Sequence, residues 1–337
     1  MTLPLIRTLA LFTLIAHATV APAQEAAERT IRFGTTVQPG HPISQGAARF
    51  AEIVAARSGG KLMSREYAAS VLGNEAQQIS AMQGGVQEMM TPASTALVGL
   101  AKDFGLLDFP FTIANERQAD ALLDGPLGQA LLAKLPEKGL VGLAFWENGF
   151  RQMTNSRRPI AVAEDLKGLK IRVQGNPVYL ETFKAIGTNP VPMAFAELYG
   201  ALETRAVDAQ ENPLANILAS KLYEVQKYTS LSNHAYSTVV VLVGKKFWDR
   251  LMPAEQAMLR EAAIEAGRFE RAASRDYALK ARAELEQKGM KINEVPAAEL
   301  AKLRDTVQPT LDRLAAQYDP AVVTLYNGEL KKLQTLR

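Results

Sequence analysis

Residues 169–179 read LKIRVQGNPVY: an apolar, strand-like run carries one arginine, Arg172, and Asn176-Pro177 follows four residues later. Asn before Pro is a strong helix start, because the asparagine caps and the proline supplies the φ of the first helical position. The stretch predicts a strand, a short junction and a helix, with Arg172 at the carboxyl end of the strand. Two readings of Arg172 stand open here. It is either a solvated or structurally paired charge at a strand end, or a guanidinium placed to hold an anion.

The same junction recurs twice downstream. PMAFAEL (192–198) places Phe195 before a helix opening near Glu197, and DAQENPL (208–214) places Asn212 before a helix opening at Pro213, with Asn212 as its cap. Three strands alternating with three helices form one parallel sheet, and their junction side chains collect on its carboxyl edge. That edge suits an organic anion. A guanidinium offers two parallel hydrogen bonds to a carboxylate, helix N-termini add N–H donors, Asn adds a neutral contact and Phe an apolar wall. The N-terminus opened by Asn176 is expected to share the anion.

An equivalent βαβαβ rhythm precedes it. TIRFGTTV (30–37), KLMSREY (61–67) and VQEMMTP (86–92) read as strands, separated by helices that stop at Gly59-Gly60 and Gly84-Gly85. Helical stretches near 115–123 and 126–138 lead into GLVGLAFWENGFRQMTNS (139–156), long enough to cross from one lobe to another. STVVVLVG (237–244) reads as the return crossing. Residues 253–287 contain no glycine except Gly267 and no proline after Pro253, which predicts a helix of about 50 Å, longer than one lobe is wide. The tail, 297–337, adds a helix pair.

The expected fold is therefore α/β: a two-lobed, hinged clamshell with crossing strands and one long helix spanning both lobes. The expected boundaries are 24–149 plus about 238–270 for lobe one, 150–237 plus about 271–310 for lobe two, and 311–337 for a C-terminal helical tail. Residues 1–23 read as a cleaved signal peptide. Arg7 precedes an apolar run from Leu9 to about Val20, and Ala21-Pro22-Ala23 gives a small-x-small cleavage pattern. Export to the periplasm follows.

Composition narrows the function. The 337 residues carry 38 Lys and Arg against 35 Asp and Glu, a net +3 that gives no nucleic-acid footprint. Without cysteine there is no disulfide, thiolate nucleophile or cysteine-held zinc. Three histidines fall to two, His41 and His234, once the export segment is removed. No phosphate loop, dinucleotide fingerprint, HExxH or GxSxG occurs, so no metal and no cofactor are expected. Other candidates are Arg151 as a second cation, and His41, in a turn facing the cleft. Tyr236 and His234 precede the return crossing, and Trp146 reads as packing between the lobes. From the uncharged TPAST loop (91–95), Thr91, Ser94 or Thr95 supplies a neutral contact.

GAARFAEIVAARSGGKL (46–62), LDFPF (107–111), GFRQMTNSRRPI (149–160), DLKGLKIRV (165–173), VPMAFAELYGALET (191–204) and VDAQENP (207–213) together resemble the DctP-type solute-binding proteins of TRAP (tripartite ATP-independent periplasmic) transporters. The resemblance implies Arg172 as principal carboxylate anchor and Asn212 as a second contact, with Arg151 and Phe195 lining the pocket. The family's usual Gly in VDGQENP is Ala209 here, which matters only if that position needs φ > 0. The chain is then expected to be a monomeric receptor that delivers a C4-dicarboxylate, sugar acid or aromatic acid to a TRAP permease. A ligand sensor for a membrane signalling partner, and a periplasmic hydrolase or lyase using His41 or His234, are the alternatives.

Overall fold

The computed structural model of the chain describes residues 28–334; the expected export segment, 1–23, lies outside the described residues. Strands β1 (Arg29–Gly34), β2 (Leu62–Tyr67) and β3 (Met89–Met90) alternate with helices α1 (Pro42–Arg57) and α2 (Glu75–Gly84). β1 lies between β2 and β3 and runs parallel to both, as the alternation predicts. Helices α3 (Glu116–Asp124) and α4 (Pro126–Leu132) lead into β4 (Leu140–Asn155). The second series is β5 (Lys170–Val173), α5 (Pro177–Ala185), β6 (Asn189–Pro192), α6 (Leu198–Glu203), β7 (Ala209–Pro213), α7 (Leu214–Ala219) and β8 (Tyr228–Leu231). Then come β9 (Tyr236–Gly244), α8 (Lys245–Trp248), α9 (Pro253–Gln287), β10 (Lys291–Glu294), α10 (Ala297–Ala315) and α11 (Pro320–Leu333).

β4 joins the lobes. Its first part, from Leu140 to Phe150, pairs with β9 in the lobe-one sheet, whereas Arg151 to Asn155 pair with β7 in the lobe-two sheet. The register shifts at Glu147/Gly149, where Gly149 takes φ +107°. A side chain is strained there, so glycine lets the strand turn from one sheet into the next. The β4 crossing is where the apolar run places it; β9, read as the return crossing, pairs with β3 and β4 inside the lobe-one sheet, so the chain returns ahead of it, after β8.

α9 runs 35 residues. Leu259, Ala262, Ala263 and Ala266 sit in the lobe-one core with Ile31, Phe33 and Phe50. Ala281 and Leu285 sit in the lobe-two core with Ile217 and Leu218 of α7. One helix thus backs both lobes. Its lone glycine has a packing reason: a Cβ on Gly267 would stand 2.7 Å from Cδ1 of Trp146. Trp146 is fully buried, donates from Nε1 to the Ala263 carbonyl at 2.9 Å and packs against Phe33. Its packing is inside lobe one rather than between the lobes.

Asn176 caps α5 as expected, accepting from the Tyr179 N–H at 3.0 Å. Asn212 does not cap α7. That helix starts one residue later, at Leu214, with Pro213 in the cap position, so Asn212 stays in β7 and its amide is released for other partners. The helices expected to open near Glu197 and at Pro213 are short: a 3₁₀ turn (Phe195–Glu197) precedes α6, and α7 spans only six residues. Ala209 is not among the residues of positive φ, so the family's glycine is not needed here.

Candidate functional site

The carboxyl edges of the two sheets face each other across a cleft. Lobe two contributes Arg172 of β5, Gln174 just past that strand, Phe195 before α6, Asn212 of β7 and Asn216 of α7; lobe one contributes Thr36, Val37, Ile43, Glu75, Thr91 and Ala93. Asn148 and Arg151 flank the crossing glycine. The three aligned junction residues, Arg172, Phe195 and Asn212, do meet in one cavity, and Arg151 joins them.

The two arginines are buried alike and partnered differently. Arg151 is clamped by Glu211, which contacts both Nε and Nη2 (Nη2–Oε1 2.8 Å); Nη2 also donates to the Glu211 carbonyl at 2.6 Å. The orientation of the Gln174 amide that satisfies both its ends places its oxygen 3.1 Å from Arg151 Nη1. Burial opposes the Arg151 charge, but Glu211 more than compensates and holds the guanidinium above its ordinary range. Burial likewise opposes ionisation of Glu211, and Arg151 keeps its carboxyl low. The pair is complete without a ligand.

Arg172 is not paired in this way. Its Nε and Nη2 donate to one acceptor, the Met193 carbonyl, at 3.0 and 2.7 Å. Among the described residues Nη1 has no hydrogen-bond acceptor and no carboxylate reaches ion-pair distance. Burial lowers its pKa to about 10, and Arg151 adds repulsion while Glu211 and Glu75 pull the other way. A buried charge without a counter-ion costs several kcal/mol relative to a paired one. Arg172 is the cation in this cleft whose anion the protein does not supply.

Opposite it stand unused acceptors. Glu75, the first residue of α2, spends Oε1 on the Ala93 N–H at 2.7 Å, and among the described residues Oε2 has no donor. Burial raises its pKa, against the pull of that N–H and of Arg172. Asn148 donates to Ser237 Oγ at 3.1 Å, leaving Oδ1 buried without a partner, and Thr91 Oγ1 is equally orphaned. Thr91 thus supplies the TPAST hydroxyl that lines the cavity, beside Ala93. Thr95 instead donates to Asp108 at 2.8 Å, and Ser94 is buried off the cavity.

The remaining sequence candidates lie behind the cleft wall. His41 caps α1, accepting the Ile43 N–H on Nδ1 at 3.2 Å, and its Nε2 lies 2.8 Å from Asn216 Oδ1. Burial pushes its pKa down to about 4, against the Asn216 hydrogen bond. His234 bonds Ser232 and Glu211 and lines a separate apolar pocket with Phe111 and Phe183. Tyr236 packs edge-on against Phe150, 5.1 Å between ring centroids. Asn176 does not line the cavity. Its Oδ1 is used by Tyr179 and its Nδ2 donates to Asp108 at 2.7 Å.

Asp108 is the acidic counterpart in this wall. Burial pushes its carboxyl from 3.8 up to about 7, against the bonds from Thr95 and Asn176 and the charge of Arg151. The folded state then holds the Asp108 proton where the unfolded chain has lost it. Its contribution to stability is whole below about pH 4 and is lost as pH rises through about 7. The melting temperature of wild type relative to Asp108→Asn is therefore expected to fall between pH 5 and pH 8. A difference that stays constant over that range would contradict the assignment.

Sequence reasoning passed over Glu75, Asn148, Gln174 and Asn216. Glu75 had a signal: it opens the helix after β2, the same strand-to-helix position that singled out Arg172. The others are polar residues with no sequence mark.

The model of the family described as bacterial extracellular solute-binding protein, family 7 (DctP), matches residues 33–318. The chain is similar to the 2,3-diketo-L-gulonate-binding periplasmic protein YiaO of Escherichia coli (strain K12), 40% identical over 264 residues that cover 78% of this chain and 80% of the relative. It is also similar in structure to the sugar acid binding protein DctPAm from Advenella mimigardefordensis strain DPN7T in complex with galactonate. The TM-score is 0.89 at 41% identity, covering 91% of this chain and 99% of the other. A TRAP periplasmic solute binding protein from Polaromonas sp. JS666 bound to D-erythronate gives a TM-score of 0.85 at 33% identity, covering 89% and 98%. These relatives are binding proteins.

Proposed function

The chain belongs to bacterial extracellular solute-binding protein family 7, and from that premise we propose that its cleft takes a polyhydroxylated monocarboxylate, a sugar acid. As a member of that family it is the substrate-binding receptor of a TRAP transporter and delivers an organic acid to a membrane permease. The observation that carries the finer reading is the inventory of unused groups. One buried cation, Arg172, waits for an anion, while Glu75 Oε2 and Asn148 Oδ1 wait for donors. A carboxylate accepts and cannot donate, so it satisfies Arg172 alone. Hydroxyl groups donate, and they satisfy Glu75, Asn148 and Thr91. A second carboxylate beside Glu75 would meet like charge. The galactonate and D-erythronate in the two similar structures have this chemistry, one carboxylate on a hydroxylated chain.

In this reading Arg172 anchors the carboxylate, and Asn212 and Gln174 border it. Glu75, Thr91 and Asn148 read the hydroxyls, while Phe195, half-buried at the cavity edge, closes the apolar side. The site binds without turnover. The two imidazoles that a hydrolase or lyase would use, His41 and His234, are engaged behind the wall. The proposal includes cleavage of residues 1–23 and release to the periplasm, with 24–149 plus about 238–270 as lobe one, 150–237 plus about 271–310 as lobe two and 311–337 as a helical tail. A thermal-shift screen of the mature protein against aldonates, uronates, C4-dicarboxylates and aromatic acids tests it. A saturating aldonate at about 100 times its Kd adds roughly 2.7 kcal/mol of stability, read as a raised melting temperature. A screen in which only dicarboxylates or aromatic acids raise the melting temperature would overturn the reading.

A further inference from the structure

The wall behind the cavity contains a hydrogen-bonded chain that crosses from lobe to lobe. His41, the cap of α1 in lobe one, accepts the Ile43 N–H on Nδ1, so the ring proton sits on Nε2 and is donated to Asn216 Oδ1 of α7 in lobe two. Asn216 Nδ2 donates to Asn212 Oδ1 at 3.4 Å, and Asn212 Nδ2 donates to Gln210 Oε1 at 2.5 Å. Gln210 Nε2 donates to Thr154 Oγ1, which donates to Gln226 Oε1, both at 2.8 Å. Every link points the same way, and every member is buried. Asn212 Oδ1 also accepts from Arg151 Nη2 at 3.3 Å, so the chain decides which way the Asn212 amide faces in the cavity.

We propose that His41 is a positioning residue of the receptor, whose Nε2–H···Oδ1 bond to Asn216 latches the closed lobes and fixes the Asn212 amide for the ligand. The imidazole has a second task, the α1 cap, and the two tasks can be separated. Serine is as good a cap as any side chain but is too short to span to Asn216. Asn216→Ala removes the latch without touching the cap. When the lobes part, Asn216 and His41 are re-solvated, so the bond favours the closed form alone and its loss speeds release. The inference rests on the cleft being the ligand site, not on the ligand being a sugar acid.

The test uses the mature full chain with D-galactonate as probe. Lobe closure is followed by spin labels on Ser80→Cys and Glu203→Cys, exposed positions in lobes one and two of a protein without native cysteine. His41→Ser and Asn216→Ala are each expected to raise the Kd about 5- to 30-fold, mainly through faster dissociation. The double variant should be no weaker than the weaker single one, the ligand-free melting temperature of His41→Ser should stay at wild type, and the closed fraction should fall in all three. Strictly additive losses, or a His41→Ser variant with wild-type Kd and closed fraction, would overturn the latch. If wild type does not bind D-galactonate, the sugar-acid reading falls, and the closed fraction of the ligand-free variants alone decides the latch: an unchanged fraction overturns it.

Discussion

Replacing Arg172 by methionine is expected to abolish ligand binding while leaving the ligand-free protein as stable as wild type or more so. Truncating one partner of a buried, hydrogen-bonded charge pair costs about 2–5 kcal/mol, which is roughly 30- to several-thousand-fold in Kd. In the ligand-free protein the guanidinium has no counter-ion and is held only by the Met193 carbonyl, so an apolar side chain of similar length removes a desolvated charge. Arg151→Met should do the reverse. It strands Glu211, buried and negative, and breaking such a pair costs about 3–5 kcal/mol of folding stability. Two arginines in one cleft thus separate by assay: calorimetric titration reports Arg172, and chemical denaturation reports Arg151. Equal destabilisation by both substitutions would refute the division of labour. Arg172→Lys keeps the charge and loses the planar fork, and should recover only part of the affinity.

Glu75→Gln should shift the ligand profile rather than abolish binding. The Gln oxygen can keep the Ala93 N–H, so the start of α2 stays intact. The hydroxyl contact loses its charge-assisted character, worth about 1–1.5 kcal/mol, or roughly 5- to 15-fold weaker for an aldonate. The like-charge barrier to a second carboxylate disappears at the same time. The ratio of dicarboxylate to aldonate affinity should therefore rise by more than either single effect. Competition titrations of succinate against galactonate on both proteins measure that ratio, and an unchanged ratio would remove Glu75 from specificity.

Much of this was legible in residue order. The 35-residue α9 follows from the absence of breakers between Pro253 and Gln287, and the β4 crossing follows from an apolar run too long for one sheet. Arg172, Phe195 and Asn212 could be brought together because strand-to-helix junctions of a parallel sheet share one edge. What escaped depends on tertiary partners. Nothing local marks Arg151 as the partner of Glu211, 60 residues away, and so its role as part of an internal pair was invisible. β8 and β10, four residues each, are too short to show alternation and exist because they pair in parallel with each other beside β4. Asn212 looked like a cap because Asn-Pro favours one, yet ladder pairing with Gln152 of β4 holds it in the strand.

The central claim, one carboxylate on Arg172 and hydroxyls on Glu75, Thr91 and Asn148, is tested most directly by titrating the wild-type receptor calorimetrically with three matched ligands. These are D-galactonate, the neutral polyol of the same chain length, and galactarate, which carries a second terminal carboxylate. The account predicts tight binding of galactonate, with the polyol and the dicarboxylate each weaker by at least about 30-fold. A polyol that binds as well as the acid, or a dicarboxylate that binds more tightly, would contradict it.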